Sequence, residues 1–164
     1  MIISSKLISL ICILGLVHFL PAQISNEDSK FTKKGLPNSF LIGEFEHAYD
    51  ELLEEYSRSL VSVCDNSNDK AYSIWSNVLV DINEQSKISN MDLNGLKLWI
   101  NIFFENDGTI QHIVYYPKPN SKNMDFDKLT SFFTSFCKSY KMNVPLSSKC
   151  MLSATASFPL NVNK

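Results

Sequence analysis

Glycine, histidine and cysteine are scarce in this chain of 164 residues, at 5, 3 and 4 copies. Each scarcity excludes a class of chemistry. The glycines at 15, 35, 43, 95 and 108 stand alone, so no Gly-rich loop is present to cradle a phosphate. No cysteines are spaced CxxC and no histidines HxxxH, so no paired ligand spacing points to a metal, and neither metal nor cofactor is expected. Asp65-Asn66-Ser67-Asn68-Asp69 opens like a calcium loop, but Lys70 stands where such a loop needs glycine and Ser76 where it needs the bidentate glutamate.

The chain also lacks a GxSxG elbow for a nucleophilic serine. His112 alone falls in a strand-like pattern, in register with Ile110 and Val114, which suits a half-buried sheet histidine better than a general base. Glu44, Glu51, Glu54 and Glu55 share one face of an amphipathic helix, and such a face is ordinarily its solvated side. No catalytic residue is assigned, and the chain reads as non-enzymatic. A hydrolase using His112 or the acidic helix is the alternative.

Excess charge of either sign is missing too. The formal charge of −2 and pI near 5.9 leave no electrostatic footprint for nucleic acid. No apolar run reaches the roughly 20 residues needed to span a bilayer. The longest, Leu7–Leu20, follows Lys6 and leads to Pro21-Ala22-Gln23 and then the polar Ile24–Asp28. That order is the layout of a secretory signal peptide over residues 1–22. The expected location is therefore the periplasm, the cell surface or outside the cell, with no membrane insertion after cleavage. The absence of any Asn-x-Ser/Thr sequon leans towards a bacterial envelope. Cleavage would leave Cys64, Cys137 and Cys150. Cys137–Cys150 is the disulfide to test first, against buried thiols acting as small hydrophobes.

What is present is regular patterning. Residues 23–40 form a polar leader. A first helix is expected over about 42–63, since Phe45, Ala48, Tyr49, Leu52, Leu53, Tyr56, Leu60 and Val63 recur at three- and four-residue steps. A second is expected over about 69–85, and the two make a helical hairpin within 41–90. In 96–104, Leu96, Leu98, Ile100, Ile102 and Phe104 alternate with Lys97, Trp99, Asn101 and Phe103, giving a strand with one pure core face and one partly apolar face. Asn106-Asp107-Gly108 is hairpin-turn chemistry, and 109–116 is the returning strand. Phe126, Leu129, Phe132, Phe133, Phe136, Cys137 and Tyr140 mark a helix over about 125–140. A last strand, about 151–160, turns Ser153, Thr155 and Ser157 to one side, and Pro159 places it at a sheet edge.

The order of strand, Asn106-Asp107-Gly108-Thr109-Ile110 turn, strand, Met124–Leu129 helix opening and closing Ser157-Phe158-Pro159-Leu160 resembles the TonB C-terminal domain over about residues 94–162. The resemblance implies a periplasmic domain that grips an outer-membrane partner by strand pairing. Residues 24–93 supply no proline-rich spacer, so energy transduction by an anchored chain is kept as an alternative only. The helical half, with Lys97-Leu98-Trp99 and Tyr116–Ser121, is also similar to small secreted proteins of Bacteroidetes-type bacteria.

The expected fold is thus α+β: an N-terminal helical hairpin, then a ββαβ unit over 91–164 with a three-stranded sheet, its first strand central and its last parallel to the second. The expected function is binding of another envelope protein through a sheet edge or the loop after the second strand. The contact residues proposed there are Tyr115, Tyr116, Lys118, Asn120 and Lys122.

Overall fold

The computed structural model describes residues 35–160. The signal segment and most of the leader lie outside the described residues. The fold is α+β, with a mixed four-stranded sheet in the order β1-β3-β2-β4 and four helices: β1 (Ser39–Leu41), α1 (Glu46–Glu55), α2 (Leu60–Val63), α3 (Asn68–Ile88), β2 (Lys97–Phe104), β3 (Ile110–Pro117), α4 (Phe126–Ser139) and β4 (Cys150–Ser157).

The β2–β3 hairpin forms where its turn chemistry demands. Asp107 Oδ1 accepts from the Thr109 N–H at 3.0 Å and from the Thr109 hydroxyl at 2.7 Å. Gly108 adopts φ +85°, which a side chain resists. β2 then pairs antiparallel with both β3 and β4, so β2 is central and β4 runs parallel to β3, as expected. The alternation also holds. Leu98, Ile100, Ile102 and Phe104 are all buried on one face, against Leu129, Phe133, Phe136 and Cys137 of α4 and Ala71, Val78 and Ile82 of α3. A large apolar side chain buried this fully contributes roughly 1.5–3 kcal/mol.

Three features depart from expectation. The sheet has four strands, because Ser39–Leu41, at the leader's end, pairs in parallel with β3. Phe40 drives this addition, burying its ring beside Phe103 and Val114. Secondly, the expected long first helix is broken after α1. The chain opens at Tyr56–Ser59 so that the Arg58 carbonyl accepts from the Met151 N–H at 2.8 Å, and Ser59 caps α2 through its hydroxyl. Ser67 in turn caps α3, a contact that typically contributes about 1 kcal/mol.

The third departure follows from the second. The helical hairpin does not close along its length, because the first stripe divides: Leu60 and Val63 of α2 join the core of α3, and the α1 part does not. α1 buries Ala48 and Leu52 with Phe40, Phe103 and Val114 on one sheet face, whereas α3 joins α4 on the other. Sheet burial on both faces outweighed helix-on-helix packing.

Candidate binding surface

α1 covers only the Phe103 end of its sheet face. Tyr49 and Tyr56 set their rings edge-on to Phe103, at 6.3 and 5.3 Å between centroids, and Asn101 donates its amide N–H to the Tyr49 hydroxyl. Beyond Asn101 the face is open. Trp99 and Tyr116, partners across the β2–β3 ladder, stack there at 6.2 Å with 27° between ring planes. They are 41% and 49% exposed, in a sheet whose other aromatics are buried. Two residues further along each strand, the Lys118 N–H donates to the Lys97 carbonyl at 2.9 Å, and Lys118 Nζ stands 5.5 Å from the centre of the Trp99 ring. A hollow of about 450 Å³ lies between this pair and the 117–123 loop.

The residues expected to make contacts divide between surface and core. Tyr116 and Lys118 are on this shelf. Tyr115 points the other way and is fully buried, its hydroxyl donating to the Phe126 carbonyl at 3.1 Å and lying 2.7 Å from Thr130 Oγ1. Burial pushes that phenol up to about 12. Asn120 sits exposed at the tip of the loop with φ +64°. Lys122 is tied down: it pairs with the Asp92 carboxylate and also donates to the Asp92 carbonyl. That pairing holds the Asp92 carboxyl below the usual range. Trp99, the largest exposed ring on the shelf, was absent from the expected set, although the alternation of β2 already placed it on the face opposite the core.

The sheet edges differ. At the β1 edge, the outward Leu41 N–H is satisfied by Glu44 Oε2 at 2.9 Å. At the β4 edge, the Met151 N–H points away from β2, towards Arg58, while the Phe158 N–H points inward to the Leu96 carbonyl at 2.9 Å. Backbone groups alternate along a strand, and the β2–β4 register is unbroken from Lys97↔Ser157 to Phe104↔Cys150. The N–H and C=O groups of Ser153, Thr155 and Ser157 therefore face outward, and among the described residues nothing pairs with them. That edge carries no charge and no proline between Met151 and Ser157.

His112 occupies a different place. A bulge at Gln111, between the pairs Phe103↔His112 and Phe104↔Ile110, breaks the alternation. Ile110 stays in the α4-side core, and His112 turns to the α1 side with Val114. His112 is 3% exposed, with Nδ1 2.8 Å from the Pro37 carbonyl. It borders a hollow of about 420 Å³ with Glu55, Tyr56, Glu105 and Lys149. Lys149 Nζ bridges Glu55 at 3.0 Å and Glu105 at 2.9 Å, and Tyr56 donates its hydroxyl to Glu105. Burial, reinforced by that carboxylate, raises the Tyr56 phenol. No serine or cysteine lines this hollow, and the ion pairs of Lys149 tie α1 and the 149 region to the hairpin.

The thiols of Cys64, Cys137 and Cys150 are free and buried, so Cys137 and Cys150 are not joined. Among the described residues, no group of three or more His, Cys, Asp or Glu could hold a metal ion, and no helix is long and apolar enough to cross a membrane. Comparison with protein-family models, with curated proteins and with solved structures finds no match for the chain.

Proposed function

We propose that this is an exported, non-enzymatic protein that binds another envelope protein by accepting an extended segment of it alongside β4. One observation carries the reading: the unpaired, uncharged edge at Ser153, Thr155 and Ser157. Native sheets usually blunt such an edge with lysine, proline or a bulge, and β4 has none of these before Pro159. Strand addition supplies main-chain hydrogen bonds for affinity and alternate side-chain positions for specificity. Export rests on the layout of residues 1–22.

The test blocks the edge and leaves the fold. The Thr155 N–H faces outward, so Thr155→Pro removes a donor that the β2–β4 ladder does not use. A photoreactive side chain at Ser153 or Ser157, in cells exporting the protein, should cross-link to one partner, and Thr155→Pro should abolish the adduct while thermal unfolding stays cooperative. Replacing Tyr116 and Lys118 should leave it intact. An equal yield of the same adduct from the Thr155→Pro chain would refute strand addition.

A further inference from the structure

The open end of the α1-side face has a chemistry that edge pairing does not use. Two rungs of the β2–β3 ladder lie there uncovered. One is the Trp99–Tyr116 stack; the other, past the Leu98↔Pro117 pair, sets Lys97 opposite Lys118. Like charges directly across a ladder repel, and among the described residues neither lysine has a carboxylate partner. Two acids near the loop, Asp92 and Asp125, are engaged by Lys122 and Lys128. Lys118 instead rests its ammonium over the indole, a contact that is weak where water reaches it. On the other flank of Trp99, the exposed side chains of Ser153, Thr155 and Ser157 form a row of hydroxyls on the same face. The site thus combines an apolar platform, two uncompensated cations and a line of neutral donors and acceptors.

We propose that this shelf binds an acidic saccharide, with a uronate-type ring lying on the Trp99–Tyr116 pair and its carboxylate between Lys97 and Lys118. The ring's apolar C–H face suits an aromatic surface that is amphipathic and half exposed. The carboxylate relieves the Lys97–Lys118 repulsion and draws Lys118 from the indole into a charge-assisted hydrogen bond, which is the stronger contact. The hydroxyls along β4 are placed for those of the sugar. A nucleic acid fits less well: it needs a basic track along its backbone, and the chain has a net charge of −2 with two lysines at this spot. The site stands apart from β4's outward backbone groups, so it holds or fails independently of strand addition.

The chain has two tryptophans, so Trp75→Phe makes Trp99 the sole reporter. Titrated with a tri-galacturonate, that variant should show a saturable change in Trp99 emission, and the carboxyl-reduced neutral trisaccharide should bind about tenfold more weakly. Lys118→Gln or Lys97→Gln should bring the acidic sugar down to the neutral one, and Tyr116→Ala should weaken both. All three sites are at the surface, and unchanged far-UV circular dichroism would show that the fold persists. No saturable change up to about 10 mM acidic sugar, no loss of the acidic preference in the lysine variants, or tighter binding of an oligothymidylate of equal charge would each overturn the proposal.

Discussion

Raising the pH should unfold this protein through its buried thiols before its tyrosines contribute. Burial pushes the thiols of Cys137 and Cys150 up to about 12, whereas a thiol in an unfolded chain titrates near about 8.5. Between those values the unfolded chain has lost a proton that the folded chain retains. Stability is therefore complete below about 8.5 and falls as pH rises towards about 12. Each pH unit in that window removes about 1.4 kcal/mol per thiol. From neutral pH to about pH 10, the loss is about 2 kcal/mol for each cysteine and about 4 kcal/mol for the pair, a large part of the roughly 5–15 kcal/mol that holds a domain together. Tyr115 and Tyr140, also pushed up to about 12, start from about 10 in the unfolded chain and add their share only above that. Urea unfolding under reducing conditions, at pH 7 and at about pH 10, reads the difference directly. Cys137→Ala with Cys150→Ala should be less stable than the parent at neutral pH yet lose much less on alkalinisation. Cys64, raised by burial in the same direction, supplies the residual slope. If the double variant loses as much as the parent between the two pH values, the buried thiols are not the cause.

Three further perturbations follow from the geometry. Gly108→Ala places a Cβ 2.8 Å from Met142 Cβ at φ +85°, whereas Gly43→Ala meets nothing within 4 Å at φ +99°; both should lower the melting temperature, and Gly108→Ala should cost at least about 1 kcal/mol more. Tyr56→Phe deletes the hydroxyl that donates to Glu105 and should lose about 1.5–3 kcal/mol in urea unfolding, while Tyr49→Phe, whose hydroxyl accepts from the neutral Asn101 amide, should lose only about 1 kcal/mol. Tyr115→Phe removes the part-buried bonds to Thr130 and the Phe126 carbonyl and should cost about 1–3 kcal/mol by the same measurement.

Strands β2, β3 and β4 and helix α4 were legible because their patterns are local. Alternation in Leu98–Phe104, the Asn106-Asp107-Gly108 turn and the three-and-four spacing of Phe126–Cys137 each settle one element without reference to another. What escaped was set at a distance. β1 is three residues long, and it exists because Phe40 fills a gap beside Phe103 and Val114. The break at Tyr56–Ser59 depends on Met151, nearly a hundred positions away, offering an N–H to Arg58. His112 shared a face with Ile110 on paper and not in the fold, because nothing in Ile110–Val114 announces a bulge at Gln111. For the candidate surface, Tyr116 near the end of β3 and Lys118 just past it were identifiable from their place at the strand's exit, but Tyr115 and Tyr116 carry the same side chain on opposite faces. Parity along β3 separates them, and the same parity makes Trp99 the partner of Tyr116.

The open shelf has a structural origin in where α1 begins. A ten-residue helix extends about 15 Å, and eight strand residues extend about 26 Å, so α1 laid along β2 leaves roughly 11 Å, or three residues, uncovered. Which three is decided upstream. After β1 the chain reverses within Ile42–Phe45, with Gly43 at φ +99° and Phe45 at φ +53°. The helix that follows therefore meets the sheet at Asn101, through Tyr49, and runs on towards Glu105, through Tyr56. The uncovered rungs are then those of Trp99 and Lys97. On the other face α3 and α4, about 32 and 21 Å long, cover Leu98 as completely as Phe104. Exposure of Trp99 and Tyr116 is thus fixed by a tight turn more than 50 residues earlier. Residues added between Gly43 and Phe45 would change both the burial of Phe103 and the access to the shelf. Folding stability and surface recognition meet at that turn.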